Sequence, residues 1–110
     1  MSKLKENEFK HQYAIVTGGS KGIGKSIALL VVKCGGSVAL IARNEQDLDT
    51  AKKEIQNSIR GEEQFVKALS CDCTTQKDVH STFNQLIEEK GIPDYLFNCV
   101  GYAHPGYIQN

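Results

Sequence analysis

The sequence has no tryptophan, only two prolines and no long apolar segment. Its longest uninterrupted apolar run, Ile27 to Val32, is far shorter than the ~20 residues that a membrane-spanning helix needs. The first twelve residues mix lysines with glutamates and contain no apolar stretch, so they do not resemble a secretory signal. We therefore expect a cytoplasmic protein whose 110 residues do not cross a membrane.

An excess of charge of either sign is also missing. The 13 basic residues are balanced by 13 acidic ones, and the basic residues form no block. Binding to nucleic acid or to an anionic membrane depends on attraction from such a block. We therefore predict that these residues contact neither nucleic acid nor a membrane.

Length and cysteine spacing indicate one small domain without a metal site. The 110 residues, of which 40% are hydrophobic, can bury a single core. We assign residues 1–110 to one domain, with residues 1–12 as a polar N-terminal tail. The four cysteines form no CxxC pair, which favours small buried side chains over metal ligands.

Four short apolar runs are predicted to be strands of a parallel sheet that is covered on both faces. They are Tyr13 to Thr17, Ser37 to Ala42, Phe65 to Cys71 and Tyr95 to Val100. Three segments between them have helical periodicity. Their apolar faces consist of Ile23, Ile27, Leu30, Val31 and Cys34, then Leu48, Ala51, Ile55 and Ile59, then Val79, Phe83, Leu86 and Ile87.

Cap residues support the same helices. Gly35, Gly61 and Gly91 are each predicted to end a helix in the left-handed conformation. Asn44 is a predicted N-cap, and Thr75 with Asp78 resembles a capping box. The order β-α-β-α-β-α-β predicts an α/β fold, the N-terminal half of a Rossmann-type, doubly wound parallel sheet.

A glycine-rich turn, Thr17 to Gly24, joins the first strand to the first helix. Such a turn lets phosphate oxygens approach backbone N–H groups at a helix N-terminus. The residues match the dinucleotide pattern TGxxxGxG, but Gly19 to Ser26 also match the P-loop pattern GxxxxGK[ST]. On the second interpretation Lys25 would reach the phosphates and Ser26 would hold magnesium.

The end of the second strand favours NADP(H) as the cofactor. An NAD-binding fold places an acid there, whereas this sequence has Ala42-Arg43-Asn44. A cation at a helix start opposes the helix dipole, so we expect Arg43 to pair with an anion, the 2′-phosphate of NADP. Lys21 offers a second positive charge.

Two further strand ends carry candidate residues. Asp72 follows the third strand and can accept from an adenine amino group or cap the next turn. Asn98 ends the fourth strand and can tie neighbouring strands together, while Gly101 lets the backbone pass close to a ligand.

Together these motifs resemble the N-terminal half of a short-chain dehydrogenase/reductase. The family has TGxxxGxG, an Asp after the third strand and NNAG after the fourth, for which this sequence has NCVG. The resemblance implies a set of cofactor-binding residues: Gly18, Ser20, Lys21, Gly22, Ile23, Gly24, Arg43, Asp72, Asn98 and Gly101.

Within that family, Ala42 to Glu45, Leu48 and Ala51 to Ile55 are similar to the 3-ketodihydrosphingosine (3-dehydrosphinganine) reductases. These use NADPH to reduce the 3-keto group of a long-chain sphingoid base, so a keto lipid is the implied substrate. The resemblance also implies a homo-oligomer at full length and, in a eukaryote, the cytosolic face of the endoplasmic reticulum, with any membrane contact made outside these residues. Some relatives carry a second base where this sequence has Asp47.

The family's catalytic serine and Tyr-x-x-x-Lys are not recognisable in this sequence. None of Tyr13, Tyr95, Tyr102 and Tyr107 has a lysine four positions later. We therefore assign no catalytic residue and expect the chain by itself to be inactive, as the cofactor-binding half of a longer reductase. A P-loop nucleotide-binding protein and a noncatalytic Rossmann module are the alternatives.

Overall fold

The computed structural model describes residues 7–99. Its elements are β1 (Tyr13–Thr17), α1 (Gly22–Lys33), β2 (Ser37–Ala42), α2 (Glu45–Gln56), β3 (Val66–Ser70), α3 (Gln76–Lys90) and β4 (Tyr95–Asn98). The predicted β-α-β-α-β-α-β order is confirmed, with β3 one residue shorter at each end than the sequence suggested and β4 ending at Asn98 instead of Val100. Within this range no helix is both long and apolar enough to cross a membrane.

The four strands form one parallel sheet in the order β3-β2-β1-β4. Val16 of β1 lies opposite Leu40 of β2 on one side and Phe97 of β4 on the other. The chain moves outward from β1 through β2 to β3 and then crosses back to the far side of β1. The gap between β1 and β4 is therefore the point at which the strand order reverses, where α/β sheets bind ligands.

Alternate residues of the central strands supply two cores. Val16 and Leu40 are fully buried on the face covered by α1 and α2. Ile15 and Ile41 are fully buried on the opposite face, together with Leu86 of α3. The continuous apolar runs that predicted the strands thus reflect a sheet with helices on both faces.

The predicted apolar faces of two helices are partly wrong. Ile23 is 75% exposed, and Leu30 and Ile87 are each more than 40% exposed. Helix α1 buries Gly24, Ala28, Val31 and Val32 instead. The two small residues allow α1 to lie close to the sheet, which turns the larger Ile23 and Leu30 outward.

Helix ends agree with the sequence in part. Gly35 and Gly91 have positive φ angles of 93° and 85°, and the Asn44 side chain accepts from the Asp47 N–H at 3.0 Å, as predicted. The prediction for Gly61 is wrong, because α2 ends at Gln56 and Gly61 does not have a positive φ. The Thr75 side chain makes no capping hydrogen bond, so the proposed capping box is also wrong.

The described part of the predicted N-terminal tail packs against the fold. The Phe9 ring packs edge to face against the Tyr95 ring, with centroids 5.6 Å apart. The backbone N–H of Phe9 donates to the Cys34 carbonyl at 2.9 Å. An aromatic ring gains free energy by leaving water, even in a polar segment. These contacts join residues near the start of the chain to β4 and to the end of α1.

The buried Gln64 side chain closes the loop between α2 and β3. Its amide nitrogen donates to the Val32 and Gly36 carbonyls at 2.9 and 2.7 Å. Its amide oxygen accepts from the backbone N–H groups of Arg60 and Gly61, both at 2.8 Å. One side chain therefore binds four backbone groups around this loop, of which the Val32 carbonyl also accepts from the Gly35 N–H at 3.1 Å.

Replacing Gln64 with leucine tests this role. Gln64→Leu keeps the bulk but removes all four hydrogen bonds, and we expect the free energy of unfolding to fall by about 2–4 kcal/mol. Urea denaturation followed by far-UV circular dichroism suits a protein without tryptophan. Gln85→Leu, at an exposed position of α3, should change stability by less than about 0.5 kcal/mol. Equal losses in the two variants would contradict the role of Gln64.

Candidate functional site

A cleft of about 380 Å³ lies at the carboxyl edge of the sheet. We call it the carboxyl-edge cleft. It is lined by residues that follow each of the four strands, among them Gly18, Ser20, Lys21, Arg43, Asp72 and Cys99. All of these except Cys99 are predicted site residues, so the cleft brings five of the predicted residues together.

The turn after β1 is built for close backbone approach. Gly18 and Gly22 have positive φ angles of 71° and 55°, which side-chain-bearing residues rarely adopt. A Cβ atom on Gly24 would lie 2.2 Å from the Gly18 carbonyl oxygen. The first turn of α1 can therefore pack directly on the turn that precedes it only because Gly24 has no Cβ atom.

The start of α1 supplies unpaired backbone donors. Gly22, Ile23 and Gly24 are its first three residues, and the N–H groups at this end have no partner within a helix. The helix dipole places partial positive charge at the same end. The exposed Ile23 side chain is not part of the cleft wall, so this residue and its two neighbours can contribute only through the backbone.

Two cations at the cleft are each paired with a carboxylate. The Lys21 Nζ lies 3.1 Å from Asp47 Oδ2, and the Arg43 guanidinium lies 3.6 Å from Asp72 Oδ2. Both cationic side chains remain at least three-quarters exposed. The positive charges predicted for a phosphate are thus present, but in this structure they are neutralised by neighbouring acids.

Asp72 is held by the residue two positions later. The Thr74 hydroxyl donates to Asp72 Oδ1 at 2.6 Å, and the Thr74 N–H donates to the same atom at 3.0 Å. These hydrogen bonds, the hydroxyl first, lower the pKa of Asp72 below its usual value, and Arg43 adds to the effect. The turn-capping role is therefore real, and one carboxylate oxygen remains directed towards Arg43.

Asn98 ties β4 to β1, as its position suggested. The Thr17 hydroxyl donates to Asn98 Oδ1 at 2.7 Å. Asn98 does not line the carboxyl-edge cleft but a neighbouring pocket of about 280 Å³, which also contains Thr17, Cys73 and Leu96. Gly101, the last predicted site residue, lies outside the described residues.

The residues of the P-loop interpretation point elsewhere. Lys25 Nζ lies 2.7 Å from Glu54 Oε2 of α2, and neither Lys25 nor Ser26 is part of the cleft lining formed by residues 7–99. A P-loop lysine has to reach the β- and γ-phosphates of a nucleotide. The pattern from Gly19 to Ser26 therefore does not bring its lysine to the carboxyl-edge cleft.

Three thiols, Cys71, Cys73 and Cys99, also line the cleft, and no cysteine of the described chain is in a disulfide. Burial first, and then the neighbouring Cys71, raise the pKa of the Cys73 thiol to about 11. A thiol, unlike a thiolate, is a poor nucleophile. The cleft is thus lined by a weakly polar thiol at this position and not by a reactive sulfur.

Sequence reasoning missed two contacts that shape the site. The role of Thr74 could have been inferred, because Asp with Thr two residues later is typical of a side-chain-capped turn. The Lys21–Asp47 pair carries no such local signal, since its members belong to different βα units.

Comparison with known proteins agrees with this geometry. A family model described as short chain dehydrogenase matches residues 12–110. The chain is 38% identical over 99 residues to the 3-ketodihydrosphingosine reductase of Bos taurus. The aligned region covers 89% of this chain and 30% of the bovine protein. The chain thus spans about 30% of the length of the bovine protein and of its relatives from Mus musculus and Danio rerio. The resemblance stated from the motifs is confirmed.

Solved structures agree on the fold. The L-sorbose reductase of Gluconobacter frateurii, complexed with NADPH and L-sorbose, has a TM-score of 0.80 and 25% identity, covering 91% of this chain and 37% of that protein. NAD⁺-bound xylitol dehydrogenase has a TM-score of 0.79 and 27% identity, covering 86% of this chain and 35% of that protein. The Rossmann-type fold is confirmed, while the two proteins carry different nicotinamide cofactors.

The contact between Gly24 and Gly18 predicts a steric effect. Gly24→Ala places a Cβ against the Gly18 carbonyl, and we expect the free energy of unfolding to fall by about 1–3 kcal/mol. Ser26→Ala, at an exposed position of the same helix, should change it by less than about 0.5 kcal/mol. Urea denaturation measures both. A Gly24→Ala variant as stable as the parent protein would show that the turn can relax at no cost.

The raised pKa of Cys73 predicts slow alkylation. The thiolate reacts with iodoacetamide, and with a pKa of about 11 only about one thiol in a thousand is ionised at pH 8. The rate of Cys73 labelling, followed by peptide mass spectrometry, should still be rising at pH 10, where a small reference thiol has levelled off. A Cys73 labelling rate that levels off by pH 10 together with the reference thiol would contradict the burial argument.

Proposed function

Because the chain belongs to the short-chain dehydrogenase/reductase family, we propose that it forms the NADP(H)-binding part of a reductase that converts a ketone into an alcohol. The observation that carries the proposal is the position of Arg43. It follows β2 at the cleft, where a dinucleotide-binding fold that prefers NAD has an acid for the ribose.

The glycine turn fits the pyrophosphate of such a cofactor. Two positive-φ glycines and the Gly24 contact leave the start of α1 uncovered by side-chain atoms. Backbone N–H groups at a helix N-terminus bind phosphate oxygens well, because their dipoles all point towards the anion. In this proposal Ser20 and the N–H groups of residues 22–24 hold the pyrophosphate, and Gly18, whose own N–H donates to the Ile41 carbonyl at 2.7 Å, lets the cofactor approach the backbone closely.

The two cations fit the additional 2′-phosphate of NADP. A guanidinium binds phosphate through two parallel hydrogen bonds, and Arg43 is 78% exposed and therefore free to turn towards a ligand. Lys21 reaches the same cleft from the other βα turn. Asp72 would then face the adenine, and Asn98 and Gly101 would lie on the nicotinamide side.

For the substrate we propose the 3-keto group of a long-chain sphingoid base. The support is the 38% identity to a protein named 3-ketodihydrosphingosine reductase. Bound NADPH would supply the hydride, and this chain would orient the cofactor. The proton donor, a tyrosine followed by a lysine four positions later in this family, is not found among the 110 residues. We therefore propose that the chain alone does not catalyse the reduction.

Assembly and location belong to the same proposal. β4 is an edge of the described sheet, and its Leu96 is 56% exposed. Unpaired edges invite further pairing. We propose that the full-length protein extends the sheet beyond β4, forms a homo-oligomer, and acts in the cytosol or, in a eukaryote, on the cytosolic face of the endoplasmic reticulum.

Replacing Arg43 tests the cofactor. Arg43→Ala should weaken NADPH binding by about 10- to 100-fold, because a charge-assisted pair with the phosphate is lost, and should leave NADH binding within about twofold. A fluorescence titration with each dinucleotide measures both. Arg60→Ala, which changes the other arginine, at the opposite end of the sheet, should alter neither affinity.

Magnesium-ATP provides the contrasting arm of the same titration. We expect no binding that depends on Lys25, because this side chain pairs with Glu54 outside the cleft. Selective ATP binding that Lys25→Met abolishes would overturn the proposed function in favour of a P-loop protein.

A further inference from the structure

Each cation at the carboxyl-edge cleft already has an anionic partner. Lys21 pairs with Asp47 and Arg43 pairs with Asp72, so these four side chains carry no net charge. A phosphate that binds there has to compete with a carboxylate for each cation. The strength of these two pairs therefore affects how well the cleft distinguishes a ligand with the additional phosphate from one without it.

The Arg43–Asp72 pair is the looser of the two. Its atoms are 3.6 Å apart, and the Asp72 carboxylate keeps two hydrogen bonds from Thr74 when the guanidinium turns away. Releasing Arg43 leaves no acid without a donor. This pair offers little resistance to an incoming phosphate.

The Lys21–Asp47 pair is tighter. Its atoms are 3.1 Å apart, whereas the two acids are about equally exposed, Asp47 at 34% and Asp72 at 30%. The backbone of Asp47 is held by the Asn44 cap, and its negative charge lies in the first turn of α2, where the helix dipole stabilises it. Asp47 is thus a fixed acid that holds the flexible lysine on the α2 side of the cleft.

We propose that Asp47 determines cofactor specificity by competing with the 2′-phosphate for Lys21, which lowers the preference for NADPH over NADH. This inference rests on the proposed NADP(H)-binding function. In the complex with NADH, Lys21 keeps its partner and nothing has to be displaced. In the complex with NADPH, the phosphate and the Asp47 carboxylate are near neighbours, and their repulsion reduces the gain that Arg43 provides.

Neutralising Asp47 tests this. Asp47→Asn preserves the size of the side chain and the backbone N–H that Asn44 caps. We expect NADPH to bind about 2- to 5-fold more tightly while NADH affinity stays the same or falls, the size expected for an exposed pair. The gain should shrink between low and high salt, since screening weakens exposed charge interactions.

Two variants separate the ion pair from a general change in charge. Glu45→Gln removes a negative charge from the same helical turn, but Glu45 lines a different pocket, beside Ser70 at the end of β3. It should leave the ratio of NADPH to NADH affinity unchanged. In a Lys21→Met background, Asp47→Asn should lose at least part of its gain.

The outcomes divide cleanly. Suppose that the parent chain prefers NADPH and loses this preference in Arg43→Ala. Unchanged or weaker NADPH binding in Asp47→Asn would then overturn the role of Asp47 and leave the proposed function intact. An equal gain in Glu45→Gln would also overturn it. A parent chain whose NADPH binding does not depend on Arg43 would overturn the proposed function, and this inference with it.

Discussion

The close contact of Gly24 with Gly18 is the constraint on which the rest of this structure depends. It requires that position 24 has no Cβ atom, and it sets where α1 begins relative to the end of β1. The same placement lets Ala28 and Val31 enter the core over the sheet and leaves the N–H groups of the first turn uncovered at the carboxyl edge. Core packing and the candidate phosphate site therefore follow from one steric condition.

Electrostatic balance gives the cleft its second property. The turn after β1 and the end of β2 each present a cation, and acids from α2 and from the end of β3 neutralise them. The cation of each pair is at least three-quarters exposed, so the pairs stabilise the fold little. They matter for ligand binding, because an anionic ligand can take the place of the carboxylate beside each cation. Because its pKa is about 11, Cys73 is a neutral thiol, while Asp72 is held by its hydrogen bond from Thr74. The charged groups of the cleft wall are therefore Lys21, Arg43 and Asp72.

Much of the site could be predicted because its residues follow strands. Arg43 and Asp72 were placed at the cleft from their positions after β2 and β3, since parallel strands end at the same edge. Predictions that depended on fine packing were less reliable. Ile23 was assigned to a buried face and is exposed, because α1 approaches the sheet through Gly24 and Ala28 rather than through its larger residues. Gly61 lies within the loop between α2 and β3 that the Gln64 side chain closes, and helical periodicity does not indicate such a loop.

The sequence by itself determined the order of strands and helices, the glycine turn and the kinds of charge available at the strand ends, because these depend on local periodicity and on residues close together in the chain. Only the tertiary structure decided which charges meet. Lys21 and Asp47 belong to successive βα units, as do Arg43 and Asp72, and no spacing rule relates them. They become neighbours because the parallel sheet gathers the ends of separate strands at one edge.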